Sequence, residues 1–321
     1  MKKIIKIWIV LLGICFCLSQ FNLSCVNAKP ARPSDGKKKI PQGLKTKTEI
    51  RYEFVEESGE YKKVLDSKVI TQYDKQGNLI ETARYSADGK LTRQDFNKYD
   101  DKNNEIEETS FDNNGKLYNK NISKYDDKGN LSEITSYDSS DKLIAKVISK
   151  YDDKGNEIEM TCYNSDGKYK NSFSKYDDKG KKIEWILYDA KSKLESKVIF
   201  KYDAKDNKIV EFFYGVDGKL EVKSLYKYND NNNLIEKNDY DAGGKLTWKH
   251  LWKYDGKGNH IEVALFGADS KLTNKVLCKY DNKDNLIEST KYVINEESGK
   301  VKEIPTLQTV CEYEFYTDPK K

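Results

Sequence analysis

The chain has 321 residues, of which 34% are charged and 37% are hydrophobic, and its formal net charge is +4. This length allows one large domain or two ordinary ones. A charge so close to balance argues against a nucleic-acid-binding protein, which needs a clear basic excess on one face.

Residues 1–28 have the composition of a secretory signal peptide. A lysine-rich start precedes an apolar stretch that ends at Leu18, and Ala28 closes a small-residue cleavage site. We therefore expect an exported protein, secreted or held at the cell envelope, with no transmembrane span in the mature chain. Cys25 is an alternative processing point, as the lipid-accepting cysteine of a lipoprotein, although Asn22 stands where a lipobox has leucine.

Residues 29–47 differ in composition from the rest of the mature chain. They hold three of the five prolines and the basic run Lys37-Lys38-Lys39. Proline and clustered like charges favour extended, solvated chain, so we interpret this segment as a flexible linker.

Three cysteines follow residue 28, namely Cys162, Cys278 and Cys311. An odd number excludes complete internal pairing in an exported protein. Cys278 and Cys311 are expected in strands separated by one other strand, about 9.6 Å apart and beyond disulfide reach. We therefore expect buried free thiols.

The dominant feature of the sequence is a repeat aligned on the tyrosine of the string KYD or a close variant. The aligned residues are Tyr73, Tyr99, Tyr125, Tyr151, Tyr176, Tyr202, Tyr228, Tyr254 and Tyr280. Successive tyrosines lie 26 residues apart seven times and 25 residues apart once. Nine copies at a fixed period identify a repeat architecture.

Each repeat unit is itself double. An aromatic residue falls twelve positions after the tyrosine and is followed by a string such as SADGK or NSDGK. Asp, Asn and Gly favour tight turns, and the intervening runs, such as NLIETARY, are typical of strands. The sequence therefore predicts an all-β fold, an antiparallel β-hairpin meander of nine to ten 26-residue repeats and about twenty strands.

Glutamate and lysine recur at fixed positions within the unit. Glutamate stands eight residues after the tyrosine in eight units, and lysine often stands five residues before the next tyrosine. A four-residue turn would place them opposite each other, and facing opposite charges help to set register. The spacing predicts cross-strand ion pairs at Glu107–Lys120, Glu133–Lys146 and Glu262–Lys275.

The predicted sheet is long enough to curl. Twenty strands at about 4.8 Å spacing extend on the order of 95 Å, and twist of roughly 20–25° per strand exceeds a full turn. We expect a long twisted, coiled sheet, β-solenoid-like or spiral, with closure into a ring or shell as the alternative. The predicted organisation is a signal peptide (1–28), a linker (29–47), a capping hairpin (48–72), the repeat array (73–291) and a capping hairpin with tail (292–321).

The strings KYDDKGNEIE and YDAKDNKIVEFFYGVDGKL resemble the YD repeat of the Rhs family, whose signature is Tyr-Asp-x-x-Gly-Asn/Arg-Leu. The matching positions are the tyrosine–aspartate dyads, the asparagine that follows most of the glycines, and Gly77, Gly129, Gly155, Gly180 and Gly258. The resemblance covers about residues 65–292. It implies a long sheet wound into a shell, often around a toxin, on exported or surface proteins. The longer period and the abundance of Lys and Glu lead us to carry over only the architecture.

The sequence contains no recognisable catalytic or metal-binding pattern. Its only histidines are His250 and His260, and two histidines without clustered partners do not specify a zinc site. The acidic pairs at 126–127, 152–153 and 177–178 lack EF-hand spacing, so we interpret them as turn residues. We expect no enzyme, no cofactor and no metal.

One strand departs from the repeat. The string TWKHLWKY places Trp248, His250 and Trp252 on one strand face by alternation, and Phe200 and Tyr226 occupy the position of Trp252 in earlier units. An exposed aromatic strip would be a stacking platform for sugar rings or a partner's side chains. The simpler interpretation is that the sheet curls here and this face becomes core.

These features predict an exported, non-enzymatic repeat protein that acts as a scaffold or protein-interaction surface. The alternative is a carbohydrate-binding or adhesive protein whose site is the aromatic strip around Trp248 and Trp252. The expected partner is a protein or a glycan at the cell envelope.

Overall fold

The computed structural model of the protein describes residues 40–297 and 300–317. These residues form one 20-stranded antiparallel sheet and contain no helix, so the predicted all-β fold is confirmed. The strands are β1 (Leu44–Glu57), β2 (Glu60–Tyr73), β3 (Leu79–Ser86), β4 (Leu91–Tyr99), β5 (Glu105–Asp112), β6 (Leu117–Tyr125), β7 (Leu131–Asp138), β8 (Leu143–Tyr151), β9 (Glu157–Asn164), β10 (Gly167–Tyr176), β11 (Lys182–Asp189), β12 (Leu194–Tyr202), β13 (Lys208–Tyr214), β14 (Leu220–Tyr228), β15 (Leu234–Asp241), β16 (Leu246–Tyr254), β17 (His260–Phe266), β18 (Leu272–Tyr280), β19 (Leu286–Glu297) and β20 (Lys300–Phe315).

The turns are built by the aspartates and glycines that the repeat predicts for this role. After β6, the N–H of Asp126 donates to the carbonyl of Asn130 at 2.8 Å, and the N–H of Gly129 donates to the carbonyl of Asp126 at 2.9 Å. The Asp126 carboxylate accepts the backbone N–H groups of Lys128 and Asn130. Gly129 has φ 84°, a left-handed conformation that disfavours any residue with a Cβ atom. The acidic pair at 126–127 therefore supplies a turn residue.

The repeated tyrosine fastens each unit to the preceding one. The hydroxyl of Tyr151, for example, donates to the backbone carbonyl of Leu131 at 2.8 Å. Equivalent bonds are made by Tyr99, Tyr125, Tyr176, Tyr202, Tyr228, Tyr254 and Tyr280. Eight tyrosines thus occupy the same environment, which explains why the chain returns to this residue at a fixed period.

The sheet closes on itself, so the predicted open spiral is wrong. β1 pairs with β20 from Leu44 to Glu53, and Lys45 forms an ion pair with Glu314 at 2.7 Å. The hydroxyl of Tyr316 donates to the carbonyl of Tyr73 at 2.6 Å. The terminal hairpins are longer than the internal ones and pair with each other, which joins the ends of the meander into a closed β-barrel. Twenty strands at about 4.8 Å give a ring on the order of 95 Å around.

The two faces of the closed sheet differ in exposure. Side chains of one face include Ser110, Ser136 and Ser172, which are only 1%, 2% and 2% exposed, whereas Phe173 on the other face is 39% exposed. Side chains converge on the concave side of a curved sheet and diverge on the convex side. We therefore assign the serine-containing face to the interior, as the inner face, and the other to the exterior, as the outer face.

The outer face carries rows of ion pairs, in a register two residues away from the predicted one. Glu133 lies directly opposite Lys124 and Ile148, and it bridges Lys124 at 2.9 Å and Lys146 at 2.7 Å. The predicted Glu133–Lys146 pair therefore forms, diagonally.

The other two predicted pairs differ from each other. Lys120 lies 3.5 Å from Glu107, so this pair also forms. Lys275 instead binds Glu303 of β20 at 2.5 Å, because the long terminal hairpin reaches alongside it.

Some predictions concern residues at or beyond the limits of the described chain. The signal peptide, Cys25 and residues 29–39 of the linker lie outside the described residues, and β1 begins at Leu44. The described chain has no helix long and apolar enough to cross a membrane. Cys278 and Cys311 are buried, as predicted, and so is Cys162; none of the three forms a disulfide within the described residues.

Candidate binding site on the inner face

The five residues singled out in the sequence lie on one face of neighbouring strands. Trp248, His250 and Trp252 alternate along β16, where His250 is directly opposite Lys237 of β15. Lys237 is in turn opposite Tyr226 of β14. Phe200 of β12 lies opposite Glu211 of β13, whose next partner is Ser224 of β14. This is the inner face of the barrel.

These residues form part of a larger aromatic surface, which we call the aromatic wall. Trp185 of β11 and Phe213 of β13 belong to the same face, because both lie opposite Val198 of β12. The aromatic wall consists of Trp185, Phe200, Phe213, Tyr226, Trp248 and Trp252. The rings of His250 and Trp252 are stacked, with centroids 5.8 Å apart and planes 14° apart.

Most of the aromatic wall is only half-buried. Tyr226 is 7% exposed, but Phe200, Trp248, His250 and Trp252 all keep intermediate exposure. The described residues outside the strands form only short turns and end segments, so they supply no second layer that covers these side chains. The interpretation of this face as a packed core therefore holds for Tyr226, and for Trp185, which packs against the buried cluster around Leu187, but not for Trp248 and Trp252.

Charged side chains lie between the aromatic rings. Lys208 contacts Glu211 at 2.8 Å, and its ammonium group is 4.6 Å from the ring centroid of Tyr226. The hydroxyl of Tyr226 donates to the Glu211 carboxylate at 3.2 Å.

A second charged group lies on β15 beside the histidine. Lys237 contacts Asp239 at 2.9 Å, and the other Asp239 oxygen is 3.8 Å from Nε2 of His250. Ser224 also donates to Asp239, at 2.5 Å. The aromatic wall therefore carries two fixed carboxylates, each paired with a lysine.

The surroundings shift the titration of two residues of this wall. Burial, reinforced by the neighbouring Glu211 carboxylate, raises the pKa of Tyr226 far above its usual value. Burial and the charge of Lys237 lower the pKa of His250, and Asp239 opposes them only in part. At neutral pH the phenol of Tyr226 is therefore protonated and the imidazole of His250 is uncharged. Both can donate and accept hydrogen bonds as neutral groups.

Sequence reasoning found four members of the aromatic wall but missed Trp185, Phe213 and the charged residues. Glu211 and Lys237 stand nine residues after the repeat tyrosine, and Asp239 stands eleven after it. Alternation of side chains along β13 and β15 would have placed them on the same face as Tyr226, but only with the correct register.

The described residues contain no group of three His, Cys, Asp or Glu side chains that could hold a metal ion. His250 and His260 lie on adjacent strands, but His250 is opposite Leu265 and His260 is opposite Tyr254. What the aromatic wall offers chemically is stacking surface together with fixed hydrogen-bonding groups.

A protein family described as "Uncharacterised protein" matches residues 122–252, which is less than half of the chain. A search for curated relatives found no match.

Similar solved structures include the Photorhabdus luminescens Tc holotoxin pore, at 12% identity and a TM-score of 0.36, over 76% of this chain and 18% of that one. A porin-like protein from Bacteroides uniformis is 11% identical with a TM-score of 0.40, over 84% and 97% of the two chains. TcdB2–TccC3 is 12% identical with a TM-score of 0.28, over 81% and 17%. This chain spans less than a fifth of those toxin chains. The toxin structures fit the Rhs-type resemblance only loosely, and similarity this weak assigns no function.

Proposed function

We propose that the protein is an exported, non-enzymatic binding protein that holds a carbohydrate against the aromatic wall. The observation that supports this proposal is the placement of Phe200, Trp248 and Trp252 on the inner face of a closed barrel, where they remain half-buried. Large aromatic rings that face an interior without being packed in it are available to stack on a ligand.

The chemistry of the aromatic wall suits a sugar. A sugar ring has apolar C–H faces, which stack on tryptophan, and hydroxyl edges, which donate to carboxylates. Asp239 is opposite Trp248, and Glu211 is opposite Phe200, so an acceptor stands beside each of these rings. A site inside the barrel also favours a small ligand over a large protein surface.

A scaffold that engages another protein is the second candidate, and it would use the outer face. The outer face presents exposed apolar side chains such as Phe96 and Phe173 among the ion pairs. The repeats resemble those of the YD-repeat proteins in the strings quoted above. This resemblance supports the scaffold proposal, but only as a likeness of architecture.

The binding proposal is tested by titrating the purified mature protein with neutral hexasaccharides of glucose and N-acetylglucosamine. We expect Trp248→Ala and Trp252→Ala each to weaken binding about tenfold, because each removes one stacking surface. Phe173→Ala, which removes an outer-face ring, is the matched control and should bind as the wild type does. Binding that survives both tryptophan substitutions would exclude the aromatic wall as the site.

The export part of the proposal has its own test. Fractionation of producing cells, with mass analysis of the mature N-terminus, should find a chain that begins after Ala28. A chain that begins at a lipid-modified Cys25 would establish the lipoprotein alternative, and an intact N-terminus in the cytosol would contradict export.

A further inference from the structure

One repeat unit of the outer face lacks the glutamate that four other units place between two lysines. In those four units, one oxygen of the glutamate contacts the lysine of the preceding strand at 2.7–3.0 Å. The other oxygen contacts the lysine of the following strand at 2.7–3.8 Å. The four residues are Glu107, Glu133, Glu184 and Glu236. Val210 stands at the glutamate position of the exceptional unit, which keeps both lysines, as Lys201 and Lys223.

The strands around Val210 pair as they do around Glu133. Val210 lies directly opposite Lys201 of β12 and Leu225 of β14. Glu133 has the same kinds of partner, a lysine on the preceding strand and an isoleucine on the following one. A valine side chain ends at its γ carbons, whereas the oxygens of a glutamate lie two bonds farther out. Val210 therefore does not fill the place that a carboxylate takes between the two lysines.

Both lysines lie beside an aromatic ring and can be reached from the solvent. The Nζ atoms of Lys201 and Lys223 are 5.5 Å and 6.0 Å from the ring centroid of Phe212. A ring attracts a cation but does not neutralise its charge. Lys201 is exposed, and Lys223 and Phe212 are half-buried. Val210 is half-buried as well, and we call these four residues the Val210 site.

Neither lysine of the Val210 site has a carboxylate partner among the described residues. The outer-face carboxylates of the flanking strands are Glu184 on β11 and Glu236 on β15, and each already contacts two other lysines. Asp203, two residues after Lys201, accepts backbone N–H groups of its own turn. The neighbouring acidic groups therefore leave the two ammonium charges unpaired.

The acidic side chains within β12–β14 are engaged elsewhere. Glu195 and Glu211 form ion pairs at 2.6 Å and 2.8 Å with lysines outside the Val210 site. The carboxylate of Glu221 lies against Gly215, in the turn after β13. These three strands thus give the Val210 site two positive charges and no carboxylate.

The equivalent place in other units strongly favours an anion. A hydrogen bond from a flanking lysine is the chief reason that the pKa of Glu107, Glu133 and Glu184 is lowered there. The two lysines approach from opposite sides and each takes one oxygen, which is a geometry suited to a carboxylate. Lys201 and Lys223 stand at the same two positions of the unit, so a carboxylate from outside the chain can make the same two contacts.

We infer that Lys201 and Lys223 bind an acidic side chain of a protein partner, in the place that glutamate occupies in the other units. The positive charge of the Val210 site is complementary to such a residue. Val210, Leu225 and the ring of Phe212 supply apolar surface beside the lysines, which suits the apolar neighbours of an acidic residue in a polypeptide. This contact gives the scaffold candidate a defined site on the outer face, and it does not depend on carbohydrate binding in the interior.

A carboxylate placed at position 210 tests the geometry of the Val210 site. In Val210→Glu the new carboxylate should contact both lysines, so its pKa, followed by NMR, should lie below the ordinary value for glutamate. The pKa should return towards that value when Lys201→Gln and Lys223→Gln are added. An ordinary pKa in the folded Val210→Glu protein would overturn the site.

A blocked tripeptide with a single carboxylate, acetyl-Leu-Glu-Leu-amide, tests the partner. At low ionic strength the wild type should bind it in preference to acetyl-Leu-Gln-Leu-amide. Lys201→Gln and Lys223→Gln should each weaken binding about fivefold, and Val210→Glu should abolish it because its own carboxylate occupies the site. Lys245→Gln, which removes an exposed turn lysine, is the matched control and should bind as the wild type does.

The same peptide allows a gain-of-binding test. Glu133→Val gives the unit of Glu133 the residues of the exceptional unit, with Lys124 and Lys146 kept. The number of peptides bound per chain should rise from one to two. A folded Glu133→Val protein that binds no additional peptide would contradict the idea that two lysines around a valine form such a site.

The remaining outcomes decide the partner. Equal binding of the two tripeptides, or unchanged affinity in Val210→Glu, overturns the site. Tighter binding of inorganic phosphate or of an oligogalacturonate than of the glutamate peptide overturns the protein partner, as does dimerisation of the wild type that Val210→Glu abolishes. Val210→Glu should leave hexasaccharide binding unchanged, so this inference and the carbohydrate proposal fail separately.

Discussion

The inner faces of β4–β6 and of β12–β16 are built by the same 26-residue unit and lie on opposite sides of the ring. Both use the same turns and the same tyrosine hydrogen bond to the preceding unit. Their side chains differ: asparagine, serine and arginine on one side, and tryptophan, phenylalanine and paired lysines on the other.

The comparison shows that the conserved turn and tyrosine positions of the unit determine the backbone structure. The residue type at the inward-facing positions determines the chemistry of the inner surface. The position two residues before the tyrosine holds Asn97 in β4 and Trp252 in β16, yet both project from the inner face. A repeat can therefore vary its inward residues without disturbing the strands, provided that the turn and the tyrosine stay. The predictions below test where the two sides should differ and where they should not.

The two sides of the ring should differ most in the unfolding free energy that is lost when an inner-face carboxylate is replaced. Asp239→Asn leaves Lys237, which is 14% exposed, without its partner, and should cost about 3 kcal/mol of unfolding free energy. Asp95→Asn should cost about 1 kcal/mol, because Arg84 and Arg93 are 43% and 36% exposed and can rehydrate. Urea denaturation of both variants measures the difference, and a larger loss at Asp95 would contradict this account of burial.

Turn glycines should behave alike on the two sides. Gly129 and Gly244 have φ 84° and 80°, and a Cβ atom at either would meet nothing within 4 Å. Alanine at each position should therefore cost about 1–2 kcal/mol, from backbone strain alone. Thermal unfolding of the two variants provides the check. A loss in only one of them would show that the turns are not equivalent.

The tyrosine hydroxyls should also contribute equally. Tyr125→Phe removes a bond to the carbonyl of Glu105 at 2.9 Å, and Tyr254→Phe removes one to the carbonyl of Leu234 at 2.7 Å. Each change should cost about 1 kcal/mol, as measured by chemical denaturation. No loss at either position would show that the repeated hydroxyl has no structural role.

The smallest effect concerns the outer face and depends on pH. A hydrogen bond from Lys146, opposed by burial and assisted by Lys124, lowers the pKa of Glu133 to about 2 from an ordinary 4.5. A depressed folded pKa stabilises the protein above the unfolded pKa, and this stabilisation is lost as pH falls towards 2. At neutral pH the unfolding free energy of the wild type should exceed that of Glu133→Gln by less than about 1 kcal/mol.

Denaturation of both proteins at several pH values tests that expectation. The gap between them should shrink below pH 4.5 and should also shrink at high salt. A gap that is constant with pH would mean that Glu133 acts through packing and not through its charge.

Much of the fold follows from the sequence because the unit repeats. Nine copies of the tyrosine, the turn strings and the alternating strands leave only hairpins in a meander, and twenty strands were predicted and found. The fixed spacing of Glu and Lys also indicated ion pairs, of which Glu107–Lys120 and Glu133–Lys146 form.

Register was missed because two local details were not visible. The turn after Phe111 has three residues between Asp112 and Lys116, whose backbone groups bond at 2.9 Å. A bulge beside Phe111 adds one more residue to β6. Together they move Glu107 opposite Ile122.

The unit alone could not decide between the expected spiral and its alternative, a closed ring, since closure depends on the two ends. It requires that accumulated twist bring β1 beside β20 in matching register, which no single repeat specifies. The site residues on β16 were found because alternation is local. Lys237 and Asp239 were missed because they are defined by neighbours across strands.

Closure is also the claim on which the interior site depends, and disulfide formation tests it directly. Thr48 and Glu312 are direct partners on β1 and β20, within the Cα separation that a disulfide spans. In a chain with Cys162, Cys278 and Cys311 replaced by serine, Thr48→Cys with Glu312→Cys should cross-link on mild oxidation, and Thr48→Cys with Lys175→Cys should not. If the protein is folded but the two thiols of the first pair do not cross-link and each reacts on its own, the closed barrel is contradicted.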